Sequence, residues 1–254
     1  MREFFGIGGY TREPEGYLSW QHLVFVTSVL IVMTLLAIWL GRKYKLCDEK
    51  RKNRVLLWAA ILINSFEIFK IIMLCISSQN PMRWIYELPL FLCSIQLITI
   101  PLAALTRGRV KEAALDFVLI FGLLGAVLGT YGAGQNYACY PVLSFDNVVS
   151  AITHSISGFS ALYIAISGMA SLKKRNITIT FAILLSFCVA AYAANILLDY
   201  NYMFLMRGDG TPYDVLMTLV GGNQAAYTVG VIALFLIYIV IFYSVYYLIK
   251  KKKK

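Results

Sequence analysis

The chain has 254 residues with a formal net charge of +10, and 59% of its residues are hydrophobic, whereas soluble domains are about 45–50% apolar. Several continuous apolar runs of about twenty residues exclude an ordinary soluble protein and indicate a polytopic membrane protein. The basic residues lie in short loops between these runs, which argues against nucleic acid as a partner. The five cysteines show no CxxC or metal-ligand spacing, and an odd number excludes complete internal pairing.

The apolar runs predict an all-α protein, because lipid satisfies no backbone polar group and continuous rather than alternating runs favour helices. We expect a single seven-span membrane domain over residues 1–254. The first run is too long for the apolar region of a signal peptide, so we expect it to be retained. The seven predicted transmembrane helices cover 19–41, 54–77, 85–106, 113–133, 146–170, 177–199 and 225–249.

Lysine and arginine are distributed unevenly between the two ends of the predicted spans. Eighteen of them fall in the loops after spans 1, 3 and 5 and in the C-terminal tail, and four fall in the other connections. Because positive charge marks the cytoplasmic side, we expect the N-terminus outside and the C-terminus in the cytoplasm. The lysine tail, 250–254, is expected to be cytoplasmic and to anchor span 7 at anionic headgroups, or else to act as a receptor-read signal.

Two outer connections, 131–145 and 201–223, are rich in glycine and aromatic residues. They either fold back over the outer face or form simple interfacial loops. Span 3 contains Pro89 and Pro101, and a proline removes one helical hydrogen bond and kinks the helix. We expect Pro89 to free the carbonyl of Ile85, close to Cys93.

Polar side chains gather in the outer half of spans 1, 2, 3, 5 and 6, and ionisable residues at such depth indicate a functional site. Asn64, Glu67 and Lys70 are spaced to line one side of a helix. At 1.5 Å per residue, Cys93 and His154 both lie roughly 10–12 Å in from the outer end. The candidate substrate-binding residues are His22, Glu67, Lys70, Gln96, Asn195 and Asp199. We expect no metal and no cofactor.

Each of these polar groups also has a structural interpretation. Glu67 and Lys70 can neutralise each other as a link between helical turns, and His154 can form helix-packing hydrogen bonds. A single cysteine such as Cys93 is commonly a small buried hydrophobe. Two further carboxylates are expected to reach the membrane interface: Glu87 and Asp116.

The pairing of Cys93 with His154 favours catalysis over these structural interpretations. A thiol beside an imidazole can ionise and attack an ester carbonyl, and the imidazole can then act as a general acid. A carboxylate such as Glu67 can orient the imidazole. The spacing alone does not show that the two side chains meet.

At these residues the sequence resembles the YwaF family of bacterial integral membrane proteins, which is distantly similar to the eukaryotic transmembrane protein 164 family. The resemblance covers nearly the whole chain. The matching pieces are Trp20-Gln21-His22-Leu23, Leu88-Pro89-Leu90-Phe91-Leu92-Cys93, Thr153-His154-Ser155 and Asn201-Tyr202-Met203-Phe204-Leu205. Phe91 and the loop before span 5 depart from the family pattern.

The resemblance implies a multi-pass protein of the bacterial plasma membrane that moves fatty acyl chains between membrane lipids. Cys93 would then be the nucleophile and His154 its base, with the polar groups facing the outer leaflet. Two alternatives stay open at this point. The protein could bind or transport a small polar ligand in an outward-facing pocket, or it could be a non-catalytic membrane partner subunit.

Overall fold

The computed structural model describes residues 2–170 and 172–252, and within these ranges all regular elements are helical. The predicted all-α class is therefore confirmed. Short 3₁₀ turns lie at Arg83–Glu87, Lys174–Asn176 and Tyr202–Phe204. The α-helices are α1 (Trp20–Tyr44), α2 (Glu49–Ser77), α3 (Gln96–Leu105), α4 (Gly108–Tyr131), α5 (Gly134–Cys139), α6 (Phe145–Ser167), α7 (Ile177–Leu198), α8 (Tyr213–Leu219) and α9 (Gln224–Lys252).

Among the described residues, six helices are long and apolar enough to cross a membrane, namely α1, α2, α4, α6, α7 and α9. A multi-pass membrane protein is thereby confirmed, and the protein sits in lipid. The helix bounds agree with the predicted spans 1, 2 and 4–7 to within about five residues. The predicted lysine tail continues α9 as far as Lys252, and its last two residues, Lys253 and Lys254, lie outside the described residues.

The predicted third span, 85–106, is not one continuous helix. The chain makes the 3₁₀ turn Arg83–Glu87, runs without regular helix to Ile95, and enters α3 only at Gln96. Pro89 explains the interruption, because its ring removes a backbone donor and disfavours helical geometry in the residue before it. The helix is therefore interrupted directly in front of Cys93. We call this non-helical stretch the break, and the 3₁₀ turn together with the break the broken segment.

Side chains from other helices satisfy the carbonyls that the two prolines leave without a helical donor. Pro101 lies inside α3, and the carbonyl of Leu97, four residues earlier, accepts a 3.0 Å hydrogen bond from Asn64 Nδ2. The carbonyl of Ile85, four residues before the other proline, accepts the hydroxyl of Tyr202. Freed backbone groups at membrane depth need such partners, since lipid offers none.

The broken segment and α3 together run along α2. At one end, Glu87 Oε2 lies 3.0 Å from Lys70 Nζ. At the other end, Asn53 Nδ2 donates to the carbonyl of Ala104 at 2.6 Å. Along α2 the distance from Lys70 to Asn53 is about 25 Å, close to the thickness of the hydrocarbon core.

Helix α6 lies at the centre of one half of the molecule, with α1, α2 and α4 packed against it. Glycines bring these helices close together. A Cβ on Gly122 of α4 would lie 2.8 Å from the carbonyl of Ser157, and one on Gly158 would lie 2.5 Å from the sulfur of Met33. Small residues allow such close packing of helices in a membrane. The tight packing holds His154 of α6 at a defined depth.

A buried carboxylate joins α4 to the second half of the molecule. Asp116 is fully buried, so the expectation that it reaches the interface is wrong. Its Oδ1 accepts the backbone N–H of Leu172 at 3.0 Å, and its Oδ2 accepts Asn176 Nδ2 at 2.8 Å and the hydroxyl of Tyr243 at 3.0 Å. These bonds tie α4 to the connection between α6 and α7 and to α9.

The two connections that we expected on the outer face, 131–145 and 201–223, both fold back over the protein rather than forming simple loops. In the first, Tyr137 of α5 is 2% exposed, and its ring centroid lies 3.9 Å from that of His22. In the second, Tyr202 and Met203 are buried. The second connection covers the break in front of α3.

Candidate functional site

A polar cavity of about 130 Å³ lies between α2, the break before α3, and α6. It is much larger than the roughly 10–15 Å³ that a single water requires. Three separate parts of the chain supply the predicted site residues Glu67, Lys70, Cys93 and His154 to one wall. The lining residues are Ile63, Glu67, Lys70, Tyr86, Glu87, Leu88, Phe91, Cys93, Ser94, Leu97, Ser150, Thr153 and His154.

Cys93 lies in the turn that begins α3. Within the described residues, the backbone N–H groups of Leu92, Cys93 and Ser94 donate to no carbonyl, and those of Cys93 and Ser94 face the Cys93 sulfur. Free N–H groups are characteristic of the first helical turn, where the helix dipole also favours negative charge. Two free backbone N–H groups, those of Cys93 and Ser94, therefore lie next to the thiol.

The turn is held by a reciprocal pair of hydrogen bonds. The Ser94 hydroxyl accepts the N–H of Phe91 at 3.0 Å and donates to the carbonyl of Phe91 at 3.0 Å. The same carbonyl accepts the N–H of Ile95 at 3.0 Å. The backbone N–H and carbonyl of Phe91, at the start of the turn that carries Cys93, are therefore both hydrogen-bonded to residues at its end.

Two glycines of α4, Gly125 and Gly129, place Cys93 and His154 beside each other. A Cβ on Gly125 would lie 3.5 Å from the Cβ of Cys93, and a Cβ on Gly129 would overlap the imidazole of His154. Glycines four residues apart lie on one face of a helix, about 6 Å apart along its axis. The Cβ of Cys93 and the imidazole of His154 thus pack against successive turns of the same face of α4.

The imidazole of His154 packs against Gly129 and lines the cavity. In the part of the chain that the structure describes, neither ring nitrogen has a hydrogen-bond partner. Glu67, which we expected to orient the ring, is instead paired with Lys70. The imidazole is thus free to exchange a proton with a molecule in the cavity.

An ion-pair cluster forms one part of the cavity wall. Lys70 Nζ lies 2.9 Å from Glu67 Oε1 and 3.0 Å from Glu87 Oε2, and Arg83 Nη2 lies 3.5 Å from Glu87 Oε1. Glu87, which we expected at the membrane interface, therefore also belongs to the cavity wall. Its spacing along the chain gave no sign of this contact, because the partner lies on another helix.

His22 lies outside the cavity, and both of its ring nitrogens are hydrogen-bonded to the backbone. Its Nδ1 accepts the N–H of Leu18 at 3.2 Å, so its Nε2 carries the proton donated to the carbonyl of Thr130 at 3.1 Å. With both nitrogens engaged and Tyr137 packed on the ring, His22 stabilises the connection after α4.

The two candidates of α7 also lie away from the cavity wall. Asn195 accepts the N–H of Tyr202 at 2.6 Å and donates to its carbonyl at 3.1 Å. Asp199 is exposed and ends α7 in a left-handed conformation with φ of 49°. Asn195 therefore shapes the backbone near the site, and Asp199 forms a helix terminus.

Gln96 is fully buried directly behind the Cys93 turn. Its Oε1 accepts the hydroxyl of Thr99 at 3.0 Å, while its Nε2 has no partner among the described residues. Gln96 does not line the cavity.

The profile of the TMEM164 family matches residues 17–243 of the chain. The match indicates a membrane protein of an acyltransferase-like family, and it spans α1 to α9 with the whole cavity. Assignment to the bacterial YwaF branch stays a prediction. No curated protein and no solved structure matches the chain significantly.

Proposed function

Because the chain belongs to the TMEM164 family, we propose that it is a membrane-embedded, cysteine-dependent lipid acyltransferase, with Cys93 as nucleophile and His154 as general base. One observation carries the proposal. Cys93 and His154 come from distant parts of the chain, yet they line one cavity on successive turns of α4. The structural roles of a buried cysteine and a packing histidine do not require both side chains to line the same cavity, whereas a catalytic pair does.

The proposed reaction has two balanced steps. The Cys93 sulfur, after losing its proton to His154, attacks the ester carbonyl of a donor phospholipid, so that a C–S bond forms and the ester C–O bond breaks. The departing lysolipid oxygen takes the proton from His154. An acceptor lysolipid hydroxyl then gives its proton to His154 and attacks the thioester, which releases the Cys93 sulfur as thiolate.

The first turn of α3 supports the same chemistry electrostatically. Negative charge develops first on the sulfur and then on the carbonyl oxygen. The N–H groups of Cys93 and Ser94 face the sulfur and are available as donors for that charge. Preorganised donors of this kind in a site shielded from water are often the largest contribution to acyl transfer.

We assign the polar wall to the lipid headgroup. Glu67 and Lys70 border the cavity together with Glu87 and are the candidate substrate-binding residues that the geometry favours. The other candidates, His22, Gln96, Asn195 and Asp199, would support the site rather than contact substrate.

The proposal includes seven membrane crossings, with the N-terminus outside and the C-terminus in the cytoplasm. The third crossing is made by the broken segment and α3, and it is supported by their course along about 25 Å of α2. The positive loops then lie in the cytoplasm, and the cavity opens in the outer leaflet of a bacterial plasma membrane. The whole chain forms a single domain with a cytoplasmic lysine tail.

The test is acyl exchange in lipid vesicles that contain a phospholipid with a labelled acyl chain and an unlabelled lysophospholipid. Cys93→Ala is expected to abolish exchange and the hydroxylamine-sensitive acyl label on the protein. His154→Ala is expected to slow exchange by about 10²–10⁴-fold. Cys139→Ala is the matched control, because this thiol is exposed and remote from the cavity wall. Undiminished exchange by folded Cys93→Ala protein would exclude the enzyme.

A second function, binding or transport of a small polar ligand, is favoured by the ion-pair cluster, since its charged groups border the cavity without contacting His154. That function predicts saturable binding that requires Lys70 or Glu67 but survives Cys93→Ala. The same variants separate both functions from a non-catalytic partner subunit, in which neither substitution changes anything but stability or assembly.

A further inference from the structure

The connection after α7 forms a hydrogen bond to the segment in front of Cys93 through the side chain of Tyr202. The hydroxyl of Tyr202 donates to the carbonyl of Ile85, the group that Pro89 leaves without its helical donor. Tyr202 is fully buried although it lies in an outer connection. The tyrosine thus supplies a partner that the local helix cannot.

The tyrosine ring also contacts the residue that anchors the Cys93 turn. The ring centroids of Tyr202 and Phe91 lie 5.5 Å apart in an edge-on arrangement, and Phe204 lies 6.0 Å from the same phenylalanine. The backbone of Phe91 holds both ends of the Cys93 turn through Ser94 and the N–H of residue 95. A shift of Tyr202 would therefore move the turn that carries the nucleophile.

Hydrogen bonds to its backbone hold Tyr202 in place. The side chain of Asn195 bonds to both its N–H and its carbonyl, at 2.6 Å and 3.1 Å. The next two residues, Met203 and Phe204, have φ of 55° and 56°, which side chains with a Cβ rarely adopt. The hydroxyl of Tyr227 bonds to the Phe204 carbonyl at 2.8 Å and retains this conformation. Strained backbone persists only where its surroundings determine it, and it concentrates at functional sites.

We propose that Tyr202 is a positioning residue for the nucleophile: its hydroxyl and ring hold the broken segment so that Cys93 lines the same cavity as His154. The inference rests on the proposed acyl transfer for its consequence in catalysis. Tyr202 acts through Ile85 and Phe91 and does not contact substrate.

The test compares Tyr202→Phe with Tyr238→Phe. Both substitutions remove a hydroxyl that donates to a backbone carbonyl, but the partner of Tyr238 is Ile120, at 3.2 Å, on α4 and away from the cavity wall. Tyr202→Phe is expected to lower kcat by about 10–100-fold, because small displacements of a reacting group have effects of this size, with KM nearly unchanged. Tyr238→Phe is expected to keep the wild-type rate.

A second readout does not depend on turnover. The alkylation rate of Cys93 by a lipid-soluble maleimide, measured by peptide mass spectrometry with Cys139 as internal reference, is expected to change several-fold in Tyr202→Phe and not in Tyr238→Phe. A merely structural hydroxyl would lower the unfolding temperature without changing the reactivity of this thiol relative to the reference.

The outcomes separate this proposal from the proposed function. If Cys93→Ala is inactive while Tyr202→Phe keeps both the wild-type kcat and the wild-type alkylation rate, the positioning role is overturned and the acyltransferase stands. If Cys93→Ala is fully active, the proposed acyltransferase activity is refuted. The positioning role of Tyr202 is then tested by the alkylation rate alone. Should Tyr202→Phe not fold, Phe91→Leu carries the same test, since it weakens the ring contact to the Cys93 turn; wild-type values there overturn the proposal.

Discussion

A methyl group added at Gly129 tests the position of His154 without changing any polar atom. The Cβ of Gly129→Ala would overlap the imidazole, so the ring must rotate out of its place against α4. Alanine in a helix interior is favoured over glycine by about 1 kcal/mol, and overpacking opposes this by about 1–3 kcal/mol. We therefore expect the free energy of unfolding to fall by only about 0–2 kcal/mol.

The effect on activity is expected to be far larger than the effect on stability. With its general base displaced, the protein should lose about 10²–10⁴-fold in acyl exchange, measured in vesicles. Gly230→Ala is the matched control, because its methyl group meets only the flexible tip of Leu216, 2.9 Å away on α8. Thermal unfolding of both variants shows whether lost activity reflects lost fold.

A double variant makes the test decisive. If Gly129→Ala acts through His154, then adding it to His154→Ala should change the rate no further, because residues that act as a unit are not additive. Wild-type exchange by folded Gly129→Ala protein, or additive losses in the double variant, would refute the reasoning that places the imidazole here as the base.

Two further predictions concern the charged groups that hold the site and the bundle. Lys70→Met leaves Glu67 and Glu87 without their shared cation. It is expected to lower the free energy of unfolding by about 3 kcal/mol, as measured by denaturation in detergent. An unchanged value would show that the two ion pairs do not contribute to stability. Asp116→Asn disturbs three accepted hydrogen bonds and is expected to cost about 1–3 kcal/mol by the same measurement, against about 1 kcal/mol for Tyr243→Phe, which removes one of them. An unchanged free energy of unfolding in Asp116→Asn would contradict the buried anchor.

Much of the fold could be predicted because membrane insertion depends on local composition. Continuous apolar runs must become helices in lipid wherever they lie in the chain, and six of the seven expected helices form with nearly the expected bounds. The depth expected for Cys93 and His154 stays a prediction, and helical rise does not give it for Cys93, because the chain has no regular helix from Leu88 to Ile95. The interruption of the third span was signalled by Pro89, but its extent was not.

The partners of the polar groups could not be predicted in this way. Glu87 forms an ion pair with Lys70 of another element, and Asp116 is buried against α9. His22 and Asn195 form hydrogen bonds with backbone groups from other parts of the chain. Sequence spacing orders residues along one helix, whereas each of these contacts depends on how separate helices rotate and pack.

For this protein the sequence by itself determined six membrane helices and singled out the pair of side chains that we propose for acyl transfer. Only the tertiary structure decided that Cys93 and His154 line one cavity, because that depends on Gly125 and Gly129 of a third helix. It also decided that Tyr202 satisfies the carbonyl freed by Pro89. Helical periodicity is local and can be read along the chain, while close packing and the satisfaction of buried carbonyls are collective and exist only in the assembled bundle.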